Sequence, residues 1–270
     1  MLDLLIFTQY PKTYGPKRLY EEALKLGLNC KIKSYSNTDL NDLPEAKYVI
    51  FREPTSSKNI YDFRDKLLNT YISHNSKILN CKSYLAWSIL DKKTQETEFK
   101  KGNIPTISEV DPTIAKYPFI AKSKLGSHGS HVFKIENKDD LDKVLLKHKA
   151  EDLLCQEFQT SGFDLRAIVL GDRVLGIMKR TPKKGEFLSN FSQGGEVEKF
   201  KVNDIERINI EQIAIKTAKH FELEFVGVDL MMGNSGEWKV LEVNRACQFK
   251  GFERALGTNV ALSILNYLIN

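Results

Sequence analysis

A chain of 270 residues with 41% hydrophobic and 28% charged side chains has the composition of a soluble globular protein with room for two or three small domains. Its net charge of +5 is modest, and no dense lysine or arginine cluster marks a nucleic-acid surface. No apolar run reaches membrane-spanning length, and Cys30, Cys81, Cys155 and Cys247 form no CxxC pair, so they read as reduced thiols of a cytoplasmic protein.

The first part alternates strand and helix signals. Leu4–Thr8 reads as a first strand rather than a signal peptide, because Asp3 precedes it and no basic leader is present. Pro16–Leu26 has helical spacing and stops at Gly27, a C-cap residue. Strands follow at Lys31–Tyr35 and Tyr48–Arg52, then a helix over Asn59–Ser73 and a short strand at Lys77–Asn80. This βαβ rhythm predicts a small parallel sheet flanked by helices. One helix is expected from Ser83 to Lys101.

The middle of the chain changes character. Phe119–Ser123 and Val132–Ile135 read as strands on either side of the glycine loop Leu125-Gly-Ser-His-Gly-Ser-His131, and Asp139–Leu146 as a short helix. Strands at Leu153–Phe158, Asp164–Leu170 and Arg173–Lys179 follow, the last two joined by a Gly171-Asp172 turn. Lys183–Gly195 is rich in glycine, serine and asparagine and reads as a loop. Helices are expected over Ile208–Phe221 and Asn259–Leu268.

Between those helices lie two β-rich runs, Phe225–Met232 and Trp238–Asn244, separated by turn residues. A hairpin folding back near Ser235 sets Asp229 opposite Glu242, with Asn244 on the face of Glu242. Facing carboxylates repel unless a cation sits between them. Oxygen ligands of this kind suit Mg²⁺, which keeps waters and phosphate oxygens as its other ligands. A solvated acidic hairpin is the bland alternative.

Other residues could carry chemistry. Lys122 precedes the glycine loop, where Gly126 and Gly129 would let backbone N–H groups approach phosphate oxygens; an ordinary hairpin turn explains the same pattern. No GK[ST] follows, so the loop is not a Walker A motif. His128 and His131 lack an evident third metal ligand and read as solvated loop residues. Asp164 and Arg166 project to one face of their strand, where a cross-strand ion pair is the simple reading. The turn brings Arg166 near Lys179 and Arg180, so three cations are expected to converge around an anion.

Taken in order, Asp91-Lys92, Ile120-Ala-Lys122 with its loop, Gln156-Glu-Phe158, Asp164-Leu-Arg166, Ser189-Asn190 with Gly194-Gly195, Gly227-Val-Asp229 and Leu241-Glu-Val-Asn244 resemble the ATP-grasp ligases, most closely the RimK-like carboxylate–amine ligases. The likeness is strong over about 80–270. It implies an α/β, ATP-grasp fold: an N-terminal small parallel-sheet domain (1–90), then a central part (91–155) and a C-terminal part (156–270), both α+β and together clasping ATP. It implies that Lys92, Lys122, Gly126, Ser127, Gly129, Gln156, Glu157, Phe158 and Asp164 bind the nucleotide, that Arg166, Arg180 and Asn190 stabilise the transferring group, and that Asp229, Glu242 and Asn244 hold Mg²⁺, with Mn²⁺ as an alternative ion. For partners, the resemblance implies an amino-acid, peptide or small-protein substrate and a homodimer or homotetramer, and neither nucleic acid nor a membrane is expected.

The reaction so implied joins a carboxylate to an amine through an acyl phosphate, releasing ADP and phosphate. A non-catalytic nucleotide-binding protein and a kinase without ligation are the rivals; retention of all three metal ligands argues against the first. The chain departs from its relatives where Leu188 and Gln193 replace loop cations, where His131 replaces a loop glycine, and at Arg245 and Cys247, where many relatives have small residues. Fewer cations predict a carboxylate donor less acidic than glutamate.

Overall fold

The computed structural model describes residues 1–52, 57–124, 131–183 and 195–270. Three sheets follow one another along the chain. In the first, β1 (Leu2–Thr8), β2 (Cys30–Ser34), β3 (Ala46–Arg52) and β4 (Lys77–Ile78) run parallel in the order β2-β1-β3-β4. β1 is apolar on both faces, as a strand buried between two helical layers must be. Leu4 and Ile6 join one core and Leu5 and Phe7 another on the opposite face. Helix α1 (Tyr14–Lys25) closes as expected at Gly27, whose φ of 74° lets Gly27 N and Leu28 N reach the carbonyls of Leu24 and Ala23. Helix α2 (Lys58–Ser73) covers the other face through Leu67, Leu68 and Tyr71.

The expected single helix over 83–101 is two helices, α3 (Cys81–Ala86) and α4 (Lys92–Lys101). Two buried arginines account for the break. Arg245 donates to the carbonyls of Ser83, Trp87 and Ser88, and Arg64 also donates to Ser88 O, so the Trp87 and Ser88 oxygens are held by side chains rather than by a continuing helix, while Ser83 O keeps its helical bond from Trp87 N. Asp91 then starts α4 as its N-cap, accepting from Thr94 N at 2.8 Å.

The second sheet, in the order β6-β5-β7, contains β5 (Phe119–Ser123), β6 (Val132–Ile135) and β7 (Leu153–Glu157), and α5 (Lys138–Leu145) buries Leu141 and Val144 against it. The third is antiparallel, with the order β10-β9-β8-β11-β12. Its strands are β8 (Asp164–Leu170), β9 (Arg173–Thr181), β10 (Glu196–Lys199), β11 (Phe225–Met232) and β12 (Trp238–Asn244). Helix α6 (Asp204–His220) packs Ile210, Ala214 and Ala218 on one face of this sheet, against Val226, Val228 and Leu230. The edge strand β10 and the seven-residue α7 (Lys250–Leu256) carried no sequence signal.

The final helix, α8 (Val260–Ile269), returns to the first sheet. Ile264, Leu265 and Leu268 share a core with Leu4, Ile6 and Ile50, and the same core contains Leu170, Met178 and Phe225 of the third sheet. The first and third sheets are therefore joined by apolar packing. Asn80 adds a polar tie: its Oδ1 accepts from Glu224 N and Phe225 N, and its Nδ2 donates to Phe225 O. The four cysteines are not bonded to one another. No helix among the described residues is long and apolar enough to cross a membrane.

Candidate active site

The β11–β12 hairpin has the expected register. Asp229 faces Glu242, Val228 faces Val243 and Gly227 faces Asn244; a bulge after Asp229 then sets Leu230 opposite Val240. On its other side Asp229 faces Arg166 of β8. A row Glu242–Asp229–Arg166 thus crosses three strands, with the apolar residues of β11 turned toward α6.

Asp229 is 4% exposed and heavily bonded. Arg166 grips it with two bonds of 2.7 Å, Nε to Oδ1 and Nη2 to Oδ2. Arg180 Nη2 lies 3.1 Å from Oδ2, and Asn244 Nδ2 donates to Oδ2 at 3.1 Å. Arg180 also donates through Nε to Asp164. Burial pushes the Asp229 carboxyl up, but Arg166 and Arg180 outweigh burial and hold it below the usual carboxylate range. Burial lifts Asp164 to about 6 despite Arg180 beside it.

This network corrects the expected convergence of three cations. Arg166 and Arg180 meet as predicted, and Asp229 and Asp164 supply the anions. Lys179 lies on the opposite face by strand alternation, pairing with Glu198 at 3.0 Å and lying over the Phe163 ring.

Glu242 leads to a second cluster. Its side chain is 33% exposed, and Oε1 lies 3.8 Å from Lys92 Nζ. Lys122 is within charge range of Glu242, Glu96 and Lys92; burial lowers its pKa. Its Nζ donates to Gln156 Oε1 at 2.7 Å. Gln156 in turn donates to Glu96 Oε1 at 2.7 Å and to Ile107 O at 3.2 Å. The Gln156 side chain therefore positions Lys122. Of its neighbours, Glu157 is exposed, and Phe158 lies under Lys134 Nζ, which is 4.8 Å from the ring centroid. Phe158 O accepts from Asn234 of the β11–β12 turn, tying the second sheet to the hairpin.

Glu96 was missed. It is 1% exposed on α4, bonded by Gln156 and Thr106, and burial pushes it up to about 6. A signal was present: Gln95 and Glu96 share the helical face of Phe99, the one apolar residue in Lys92–Lys101, so that face had to turn inward. Gln95 is bonded both ways to the Val243 backbone and fixes α4 against β12.

Gly126, Ser127, Gly129 and Asn190 lie outside the described residues, as do His128, Leu188 and Gln193. Among the described residues no three His, Cys, Asp or Glu side chains cluster as a metal site. The expected set has two carboxylates and an amide, brought together on adjacent strands.

Residues 75–268 match the RimK-like ATP-grasp domain. The chain belongs to the RimK-like ATP-grasp family. A Shewanella denitrificans protein named "Probable alpha-L-glutamate ligase 1" is 28% identical over 295 aligned positions, covering 99% of this RimK-like chain and 97% of that protein. Among solved structures, the ATP-grasp ligase PsnB, complexed with a phosphomimetic variant of minimal precursor, Mg and ADP, superposes with a TM-score of 0.74 at 18% identity, covering 100% of this chain and 99% of that one. A RimK domain ATP-grasp protein from Sphaerobacter thermophilus gives a TM-score of 0.73 at 16% identity, covering 99% and 100%. The fold of this RimK-like chain is that of the ATP-grasp ligases.

Proposed function

We propose that the chain is an ATP-dependent carboxylate–amine ligase forming an amide or peptide bond and releasing ADP and phosphate. The observation that carries this reading is the Glu242–Asp229–Arg166 row, flanked by Lys92 and Lys122 on one side and by Arg180 and Asn244 on the other. Family membership and the substrates named for relatives support it: glutamate in one, a precursor peptide in another.

A carboxylate oxygen of the donor attacks the γ-phosphorus of ATP, and the bond to the ADP oxygen breaks. The amine nitrogen of the acceptor then attacks the carbonyl carbon; the C–N bond forms, phosphate leaves and the amine gives up a proton. In this reading Lys92 and Lys122 hold the phosphates and Phe158 contacts the base. Arg166 and Arg180 stabilise charge on the transferring phosphoryl group. Asp229, Glu242 and the Asn244 amide are hard oxygen donors that fit Mg²⁺ or Mn²⁺. Bound there, the ion neutralises phosphate charge during transfer. In the structure Arg166, Arg180 and Asn244 satisfy the Asp229 carboxylate.

The test is incubation with MgATP and a mixed pool of amino acids and short peptides, followed by chromatography of the nucleotide and mass spectrometry of products. ADP with a new amide supports ligation. AMP as main product, or ADP with a phosphorylated substrate and no amide, overturns it.

A further inference from the structure

Arg52 ends β3, and its register partner on β1 is Thr8. In the order β2-β1-β3-β4 the chain runs from β1 to β2 on one side and reaches β3 on the other, so β1 and β3 flank the point where the winding reverses. Open parallel sheets take ligands in the crevice outside the carboxyl ends of such a pair.

Arg52 is 5% exposed. Its Nη2 donates to Cys247 O at 2.8 Å, and its guanidinium carbon lies 5.5 Å from the centroid of the Phe249 ring. No carboxylate pairs with it among the described residues. Among the described residues, the groups within charge range are Cys247, Tyr84 and Tyr35. Burial raises the pKa of the Cys247 thiol and the Tyr35 phenol, so neither supplies a negative charge near neutral pH.

The first turn of α1 meets the same guanidinium. A Cβ on Gly15 would sit 3.0 Å from Arg52 Nη2. That turn contains no acidic residue, and the Thr13 side chain does not cap it; Thr13 Oγ1 donates to Tyr10 O instead. A buried cation against the positive end of a helix is unfavourable twice over, and both costs reverse when an anion binds there. One residue past Thr8, Gln9 Oε1 is buried with no hydrogen-bond partner. The crevice adjoins the site described above: Arg52 holds Cys247 O, and Arg166 Nη1 lies 3.4 Å from the next carbonyl, Gln248 O.

We propose that Arg52 and the first turn of α1 bind the free α-carboxylate of an amino-acid substrate that enters the reaction through its amine. This rests on the ligase reading. A planar guanidinium suits a carboxylate held by two parallel bonds, and it discriminates against the corresponding α-amide. The activated carboxylate belongs at Arg166 and Arg180; the carboxylate at Arg52 is the one left unreacted in the product.

The test is isothermal titration of the MgADP-saturated protein with each of the twenty common L-amino acids and with the α-amide of any that binds. The wild type is expected to bind at least one free acid about tenfold or more tightly than its amide, a difference of about 1.4 kcal/mol. Arg52→Gln should bind acid and amide alike, with MgADP affinity unchanged. Because the Arg52 variant could fold poorly, Gly15→Ala provides a second probe: alanine favours the helix, while its methyl crowds Nη2. It should keep the unfolding midpoint and bind the acid several-fold more weakly. Equal affinity of the wild type for acid and amide, no amino-acid binding at millimolar concentration, or unchanged discrimination in folded Arg52→Gln overturns the proposal. These measurements need no turnover, so failure of the product assay removes the ligase reading without altering their outcome.

Discussion

Arg166 holds Asp229 by two parallel bonds of 2.7 Å across neighbouring strands, whereas Glu242, on the other side of Asp229, lies 3.8 Å from Lys92 and is one-third exposed. The two facing carboxylates therefore do different work. Asp229 balances two buried arginines and is part of the fold. Glu242 contributes little to the fold and stands open to a cation.

Substitution should separate them. Asp229→Asn keeps the shape but leaves Arg166 and Arg180 with Asp164 alone, and should cost about 3–5 kcal/mol of stability in urea. Glu242→Gln should stay within about 0.5 kcal/mol of wild type while magnesium-dependent ADP formation falls by about 100-fold or more. A folded Glu242→Gln protein with full turnover would remove Glu242 from the metal set.

Lys122 is held by Gln156 and desolvated near Glu96 and Glu242. Lys122→Met keeps the aliphatic stem and removes the charge. Loss of one charge-assisted bond to phosphate, about 1.5–3 kcal/mol, should weaken MgADP binding by about tenfold or more in a calorimetric titration. Stability should change less, because removing a desolvated cation offsets the unpaired Gln156 oxygen. Unchanged MgADP affinity would place Lys122 outside the phosphate site.

The parts legible in the sequence were those set by local pattern. Asp164–Leu170, Phe225–Met232 and Trp238–Asn244 are β-rich runs bounded by turn residues, and their observed limits match those expected. The Asp229–Glu242 pairing followed from the turn alone. What could not be read was set by distant contacts. The break between α3 and α4 depends on Arg64 and Arg245, far away in sequence. Lys179 sits on the opposite face of β9 from Arg180 by strand alternation, so nearness along the chain did not bring its charge to Arg166. Edge strand β10, alternately charged, carries no local mark, and Glu96 is polar in sequence yet buried by the tertiary fold.

Asn80 offers a test of how the first and third sheets are joined. It sits at φ 62°, a left-handed conformation that asparagine tolerates better than alanine, and its side chain satisfies the backbone of Glu224 and Phe225. Asn80→Ala should lower stability by about 2–4 kcal/mol, from unpaired buried backbone groups and the backbone conformation. Asn80→Gly removes the conformational cost and should recover about 1 kcal/mol of that loss. Urea unfolding of both variants decides it; equal stability of all three proteins would show that the tie contributes nothing.

Glu96 gives a prediction with a defined pH window. Burial raises its carboxyl from the ordinary 4.5 to about 6 in the folded protein. The folded state therefore binds more proton than the unfolded state between about pH 4.5 and 6, and stability falls as pH rises through that window, then levels off. A shift of about one and a half units corresponds to about 2 kcal/mol. Glu96→Gln cannot ionise and should lack this fall, so its stability relative to wild type should climb by about 2 kcal/mol from pH 4.5 to 7. Urea unfolding at half-unit steps measures the difference directly, and common titrating groups cancel in it. Parallel curves for the two proteins would mean that Glu96 titrates as an ordinary carboxylate and that its burial beside Gln156 and Lys122 does not hold its proton.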